Sequence, residues 1–247
     1  MIPKKIHYCW FGRGEMPELA IKCIDSWKKH LSDYELILWN EDNFDIHSNQ
    51  YVKEAYEAKR YAFVTDYVRL YALYNHGGIY MDTDVEVLKS LDNFLEHGAF
   101  TGCENEEMCV TGIMGAEKGH EWIKSLLVYY EGRNFLLPDG SHDKTTNTKT
   151  ITNTTINKFG WIPKDTHQIL KGDLNIYPFD FFCAKNFKTG EIEITNNTYT
   201  IHHFSGSWHT GTDKLKSIII KIIGADMAKT LAKHYRKVKL FMKGVKE

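Results

Sequence analysis

The sequence predicts an α/β fold, a mostly parallel sheet flanked by helices, on three observations. A strand, a helix and a second strand are spaced as a βαβ unit over residues 6–39. An apolar helix, a Gly-Gly turn and a short strand ending in carboxylates follow one another over residues 61–88. The composition suits one globular domain with a core of normal size: 247 residues, 43% hydrophobic, with a formal net charge of −1. A balance so near neutral does not point to nucleic acid as a partner.

Taken in order, residues 6–10 read as the first strand, with Trp10 at its carboxyl end. Gly12 and Gly14 loosen the loop behind it, and Pro17 opens a helix reaching residue 31. Residues 34–39 form the second strand, with Asn40-Glu41-Asp42 as polar capping at its exit, and residues 50–60 form a polar helix. No Gly or Pro interrupts residues 61–75, and apolar side chains occupy most of the circumference, as in a helix packed on both sides. Gly77-Gly78 stops that helix, because a glycine there can take a left-handed conformation and let the chain reverse into the strand 79–81. Further strands are expected at 99–102, 111–116, 173–178, 192–194 and 198–203, with an amphipathic helix over 119–130. The Thr- and Asn-rich stretch 132–158 reads as an irregular loop or a lid.

The reversal at Gly77-Gly78 has a geometric consequence. Going back from Gly77 to Asp66 covers about 16 Å along a helix, and going forward from Gly78 to Asp82 about 13 Å along a strand. Asp66 and Arg69, three apart on one helix face, therefore return to the level of Asp82 and Asp84. This is the carboxyl edge of the sheet, where open α/β proteins bind ligands. Two carboxylates at i and i+2, with a small Thr83 between them, can share one hard divalent ion such as magnesium or manganese. An isolated Asp-x-Asp is more often a solvated turn, but a solvated turn needs neither the buried strand before it nor Asp66 and Arg69 at its height.

The run over residues 61–85, with its Asp-x-x-Arg helix, Gly-Gly-Ile-Tyr and Asp-x-Asp, resembles sugar-nucleotide-dependent glycosyltransferases of the GT-A fold. It is most similar to family 32, which includes bacterial capsular polysaccharide transferases and yeast mannosyltransferases, and to the glucosyltransferase domains of large clostridial toxins. The opening Ile2-Pro3-Lys4-Lys5-Ile6-His7-Tyr8-Cys9-Trp10-Phe11-Gly12 and the late His202-His203-Phe204-Ser205-Gly206-Ser207-Trp208 extend the likeness. The resemblance implies a GT-A domain over residues 1–210 that transfers a hexose from a nucleoside diphosphate sugar, UDP-linked by analogy with the toxins, to a glycan or lipid-linked acceptor in surface polysaccharide synthesis, with retention of configuration. Trp10 would stack on the base; Asp66 and Arg69 would approach the donor sugar; Ser207 and Trp208 would lie near its diphosphate. Manganese or magnesium would be held by Asp82 and Asp84 with His203, the histidine of a His-Phe-x-Gly pattern, and His202 is the alternative. Asp66, Arg69, Asp82 and Asp84 make up the expected catalytic set.

Residues 211–247 form a basic amphipathic helical tail, with lysines interleaved among Leu215, Ile218, Ile219, Ile220, Ile222 and Ile223. Such a tail either packs on the domain or docks on anionic lipid. Neither a signal peptide nor a membrane span is read in the sequence, which suits a cytoplasmic protein, peripheral on the inner face of the membrane. Five cysteines without Cys-x-x-Cys spacing read as reduced structural thiols. Two other classes are weighed. A haloacid-dehalogenase-type phosphatase also places Asp-x-Asp after a strand, but the position two after the second Asp holds Glu86. A non-catalytic sugar-nucleotide or glycan-binding protein would bind donor without turning it over.

Overall fold

In the computed structural model, which describes residues 1–109, 112–187 and 189–206, the opening βαβ unit is β1 (Lys5–Cys9), α1 (Glu18–His30) and β2 (Glu35–Trp39). β1 and β2 pair in parallel with Ile6 beside Leu36. α1 turns Ala20, Cys23, Ile24 and Trp27 inward, as its apolar spacing requires. The expected helix over 50–60 is α2 (Gln50–Glu57), capped by Asn49, whose side chain accepts from Val52 N. α3 (Tyr61–His76) follows and buries Val64, Val68, Leu70, Ala72 and Leu73.

The rest of the chain adds strands β3 (Gly78–Met81), β4 (Val85–Val87), β5 (Ala99–Asn105), β6 (Met108–Cys109), β7 (Ile113–Ala116), β8 (Gln168–Leu170), β9 (Leu174–Tyr177) and β10 (Thr200–His202). Helices α4 (Glu121–Leu127), α5 (Asn147–Thr154) and α6 (Phe179–Phe182) complete it. The main sheet runs β2-β1-β3-β7-β5-β9-β8, with β6 on β5. β1 is parallel to β2 and β3, and β5 to β9, while β7 runs against both its neighbours, β3 and β5. Five of the eight strands (β1, β2, β3, β5, β9) therefore point one way, so the sheet is mixed but mostly parallel. Val64, Val68, Leu73, Trp122 and Ile151 belong to one apolar core. Ile24, Trp27, Leu91, Phe94 and Phe182 belong to a second. β1 lies between β2 and β3, so the chain leaves it towards opposite sides, and the carboxyl ends of β1 and β3 bound the crevice that such a reversal opens.

Two expectations are corrected. Within 132–158, residues 147–159 are not an open loop but α5 and a π-helical turn, Thr155–Phe159, closed by Gly160 in a left-handed cap. The threonines bury because their hydroxyls are used: Thr155 Oγ1 donates to Ile151 O at 2.7 Å and accepts from Trp122 Nε1 at 3.0 Å. Thr152 Oγ1 accepts from Cys109 N. Residues 192–194 are not a strand; Ile192 makes one isolated bridge to Lys185 within a local turn, where Asn186 N donates to Glu191 O and Glu193 N to Ala184 O, and Ile194 is exposed. All five cysteines are buried and free, and burial pushes the Cys23 and Cys103 thiols up to about 12, which suits inert packing groups. No helix among the described residues is long and apolar enough to cross a membrane.

Candidate active site

The site is built on the reversal between α3 and β3. Gly77 has φ 63 and Gly78 φ 114, both in the region that favours glycine. A Cβ on Gly78 would stand 2.8 Å from Lys5 O, and one on Gly77 2.8 Å from Lys118 N. The turn is tied to β1 by His7, whose Nε2 lies 2.8 Å from Gly77 O while its Nδ1 accepts from Trp39 Nε1 at 3.1 Å. Those partners require a neutral ring with the proton on Nε2, and burial lowers the His7 pKa to about 4, so the ring is neutral at pH 7.

With the turn fixed, Asp66 and Arg69 do stand beside the end of β3. An Arg69 guanidinium nitrogen lies 3.1 Å from Asp66 Oδ1 and 3.3 Å from Asp82 Oδ1. Tyr80, one step before Met81, donates its hydroxyl to Asp82 Oδ1 at 2.7 Å, and the Arg69 guanidinium sits over the Tyr80 ring at 4.6 Å. Arg69 is thus buried yet paired, as a buried cation must be. Burial raises the Asp66 carboxyl to about 6 against the pull of Arg69. One arginine faces Asp66 and Asp82 together, and Asp84 adds a third carboxylate nearby.

Asp84 is held from the far end of the described chain. β10 pairs antiparallel with β4, His202 opposite Val85. His202 Nε2 lies 3.4 Å from Asp84 Oδ1 and 4.0 Å from Asp82 Oδ2. Ser205 N donates to Asp84 Oδ2 at 2.7 Å. Burial alone would raise the Asp84 carboxyl, but His202 and the Ser205 amide hold it well below the usual carboxylate range. Burial would lower His202, and the hydrogen bond and charge of Asp84, with Asp82 behind it, raise it instead.

Asp82, Asp84 and His202 each offer a ligand atom, all within 4.8 Å of one another. Two carboxylates and an imidazole suit manganese or magnesium, and the excess of carboxylates over the single arginine favours a cation. His203, the histidine assigned by the His-Phe-x-Gly pattern, is not in this group. Consecutive side chains of an extended segment point to opposite faces, so only one of the adjacent histidines can face the carboxylates. His203 turns away and places Nε2 2.8 Å from Glu86 Oε2.

Trp10 directly follows β1, half-buried, with its indole N–H donating to Gly14 O at 2.6 Å. It stands at the crevice but outside the core. Ser207 and Trp208, Thr111 at the start of the expected 111–116 strand, and the whole tail 211–247 lie outside the described residues. A residue that sequence reasoning missed is Asn147, the first of α5. It is buried beside Asp66, close enough for its amide to hold that carboxyl down, though neither its Oδ1 nor its Nδ2 makes a hydrogen bond of full geometry with a described residue. A buried amide with incomplete hydrogen bonding is uncommon in a folded protein. The signal was Thr146-Asn147 ahead of Ile151, Ile156 and Phe159, hidden in a run that reads as loop.

Residues 17–101 match the family described as "Glycosyltransferase sugar-binding region containing DXD motif". That span holds Asp66, Arg69, Asp82 and Asp84 and leaves out His202. Inositol phosphoceramide mannosyltransferase 3 of Schizosaccharomyces pombe is 31% identical over 130 residues, 49% of this chain and 35% of its own length. Mannosyl phosphorylinositol ceramide synthase CSH1 of Saccharomyces cerevisiae is 29% identical over 150 residues, 56% of this chain and 38% of its own. The chain thus spans little more than a third of the length of these curated relatives. The solved PaToxG glycosyltransferase is 17% identical, and the match covers 64% of this chain and 70% of that chain with a TM-score of 0.47. Over residues 17–101, which hold the Asp-x-Asp, the chain is similar to glycosyltransferases.

Proposed function

We propose that this protein is a metal-dependent glycosyltransferase of the GT-A type that moves a hexose from a nucleoside diphosphate sugar to a glycan or lipid-borne acceptor, with retention of configuration. The observation that carries the reading is the juxtaposition of Asp82, Asp84 and His202 with the buried Asp66–Arg69 pair at the carboxyl end of β3. Asp82, Asp84 and His202 hold manganese or magnesium. Such an ion, when bound, neutralises charge that develops on a diphosphate leaving group.

This chain's own groups do the rest. Arg69 keeps Asp66 and Asp82 at a fixed separation and offers the site its cation. Asp66 and Asn147 present a carboxylate and an amide to sugar hydroxyls, the amide supplying both a donor and an acceptor. Trp10 offers a flat indole at the crevice for the base, which we take to be uracil; Ser207 and Trp208 are assigned to the diphosphate. The relatives' names support mannose among the candidate hexoses, beside glucose and galactose, and a lipid-borne acceptor. In this reading the basic tail 211–247 rests on the anionic cytoplasmic face of a membrane, where the protein serves surface polysaccharide synthesis.

The test is nucleotide release from a panel of UDP- and GDP-hexoses with manganese, with magnesium and with chelator. Slow release from one donor, abolished by chelator and by Asp84→Asn, is expected. Donor bound without turnover, even with glycan and lipid acceptors added, would make the protein a binding protein instead, and a panel in which no donor binds by calorimetry would refute the reading.

A further inference from the structure

A histidine that ligates a metal is usually aimed by a hydrogen bond at its other ring nitrogen. His202 lacks one. Its Nε2 faces the carboxylates, and its Nδ1 is buried with no partner among the described residues. What meets the ring instead is packing. On one side stands Gly112, where a Cβ would come within 2.8 Å of Nδ1, so the backbone is against the ring. The phenyl ring of Phe204 also packs on the imidazole, its centroid 4.1 Å away and its plane tilted by 34°. Phe187 backs Phe204 edge-on at 5.3 Å.

Phe204 reaches this position through an unusual backbone. Its φ is 53, a conformation that bulky residues rarely adopt. The turn it makes lets His203 N donate to Asp84 O at 2.9 Å and Ser205 N to Asp84 Oδ2 at 2.7 Å, one on each side of it. A glycine would make that turn without strain. The side chain does something the turn does not need: beyond its packing on Phe187 and the second apolar core, it lies against His202.

We propose that Phe204 is a positioning residue of the metal site: its ring packs on the His202 imidazole and fixes its orientation. This rests on the assignment of His202 as a ligand. The phenylalanine does not touch the ion; it narrows the range of imidazole orientations, so the nitrogen is in place before an ion arrives.

The test is manganese affinity, measured on the full chain by titration calorimetry and by the spin-resonance signal of free manganese, without donor or turnover. Phe204→Gly keeps the turn, relieves the left-handed strain and removes the ring; Phe204→Ala removes the ring and keeps the strain; Phe204→Tyr keeps the ring. Both ring-less variants are expected to bind manganese about 10–100-fold more weakly, the usual effect of losing an orienting partner, and Phe204→Tyr is expected to restore wild-type affinity. Thermal midpoints are read alongside, because a merely structural role would lower them and leave affinity alone. Wild-type affinity in Phe204→Gly, with affinity lost in His202→Ala, would overturn the inference and leave the metal site standing. No manganese binding by the wild type, or full binding by His202→Ala, would overturn both.

Discussion

Replacing Asp66 with Asn should make the protein more stable and less active at the same time. The Asp66 carboxyl is raised by burial from 3.8 to about 6, a shift that already includes the attraction of Arg69. Between pH 4 and 6 the native protein therefore holds a proton on Asp66 that the unfolded chain has shed. Its contribution to stability falls as pH rises through that window and is level above it. A shift of about two units corresponds to at most about 3 kcal/mol. Asp66→Asn removes the buried charge but keeps its shape. The variant should match wild type near pH 4, gain progressively to pH 6, and at pH 7.5 melt roughly 5–10 °C higher, using about 2–4 °C per kcal/mol for a chain of this size. His7 titrates over the same range with the opposite sign: the unfolded chain binds a proton there that the native ring, lowered to about 4, refuses. It is common to both proteins and cancels in the difference. The assay is thermal melting of the two proteins from pH 4 to 7.5, with nucleotide release measured alongside. A variant less stable than wild type at pH 7.5, or a difference that does not change with pH, would refute the reasoning.

Removing the imidazole of His203 by His203→Ala should leave manganese affinity within about twofold, since that ring faces Glu86, whereas a tenfold loss on titration would return it to the metal site. Ala at Gly78 would have to accept φ 114 with its Cβ 2.8 Å from Lys5 O; urea unfolding should show a loss of about 2–4 kcal/mol. Truncating Asn147 to Ala should lower kcat/KM on the preferred donor about tenfold, the worth of one good hydrogen bond, and narrow the discrimination between epimeric hexoses. Because the amide makes no hydrogen bond of full geometry, melting of Asn147→Ala should change little.

The half of the site that lies within one continuous segment was legible in the sequence. Glycines punctuate α3 and β3, rises per residue convert to lengths, and equal lengths on either side of a reversal place Asp66 and Arg69 beside Asp82; the 3.3 Å from Arg69 to Asp82 is that argument in coordinates. What depends on a partner strand was not legible. Choosing between His202 and His203 requires knowing which face of β10 meets the carboxylates, and that is set by its pairing with β4, far away in sequence. α5 was obscured because β-branched threonines are poor helix formers, and only their neighbours Trp122 and Cys109 make their burial favourable. The alternation around Ile192 and Ile194 suggests a half-buried strand, but alternation cannot supply an edge to pair with.

The pairing of β10 with β4 would also couple a bound ion to the order of assembly. A chain emerging from the ribosome displays both carboxylates, and everything within residues 17–101, well before it has synthesised the imidazole. An ion bound by all three groups would reach full affinity only once β10 has docked, and would act as a fastener on the last of the described strands. At a free concentration a hundred times its dissociation constant, such an ion would stabilise the docked state by about 2.7 kcal/mol. Amide exchange at Thr200–His202 should slow accordingly when manganese is added, while exchange in β1 changes less.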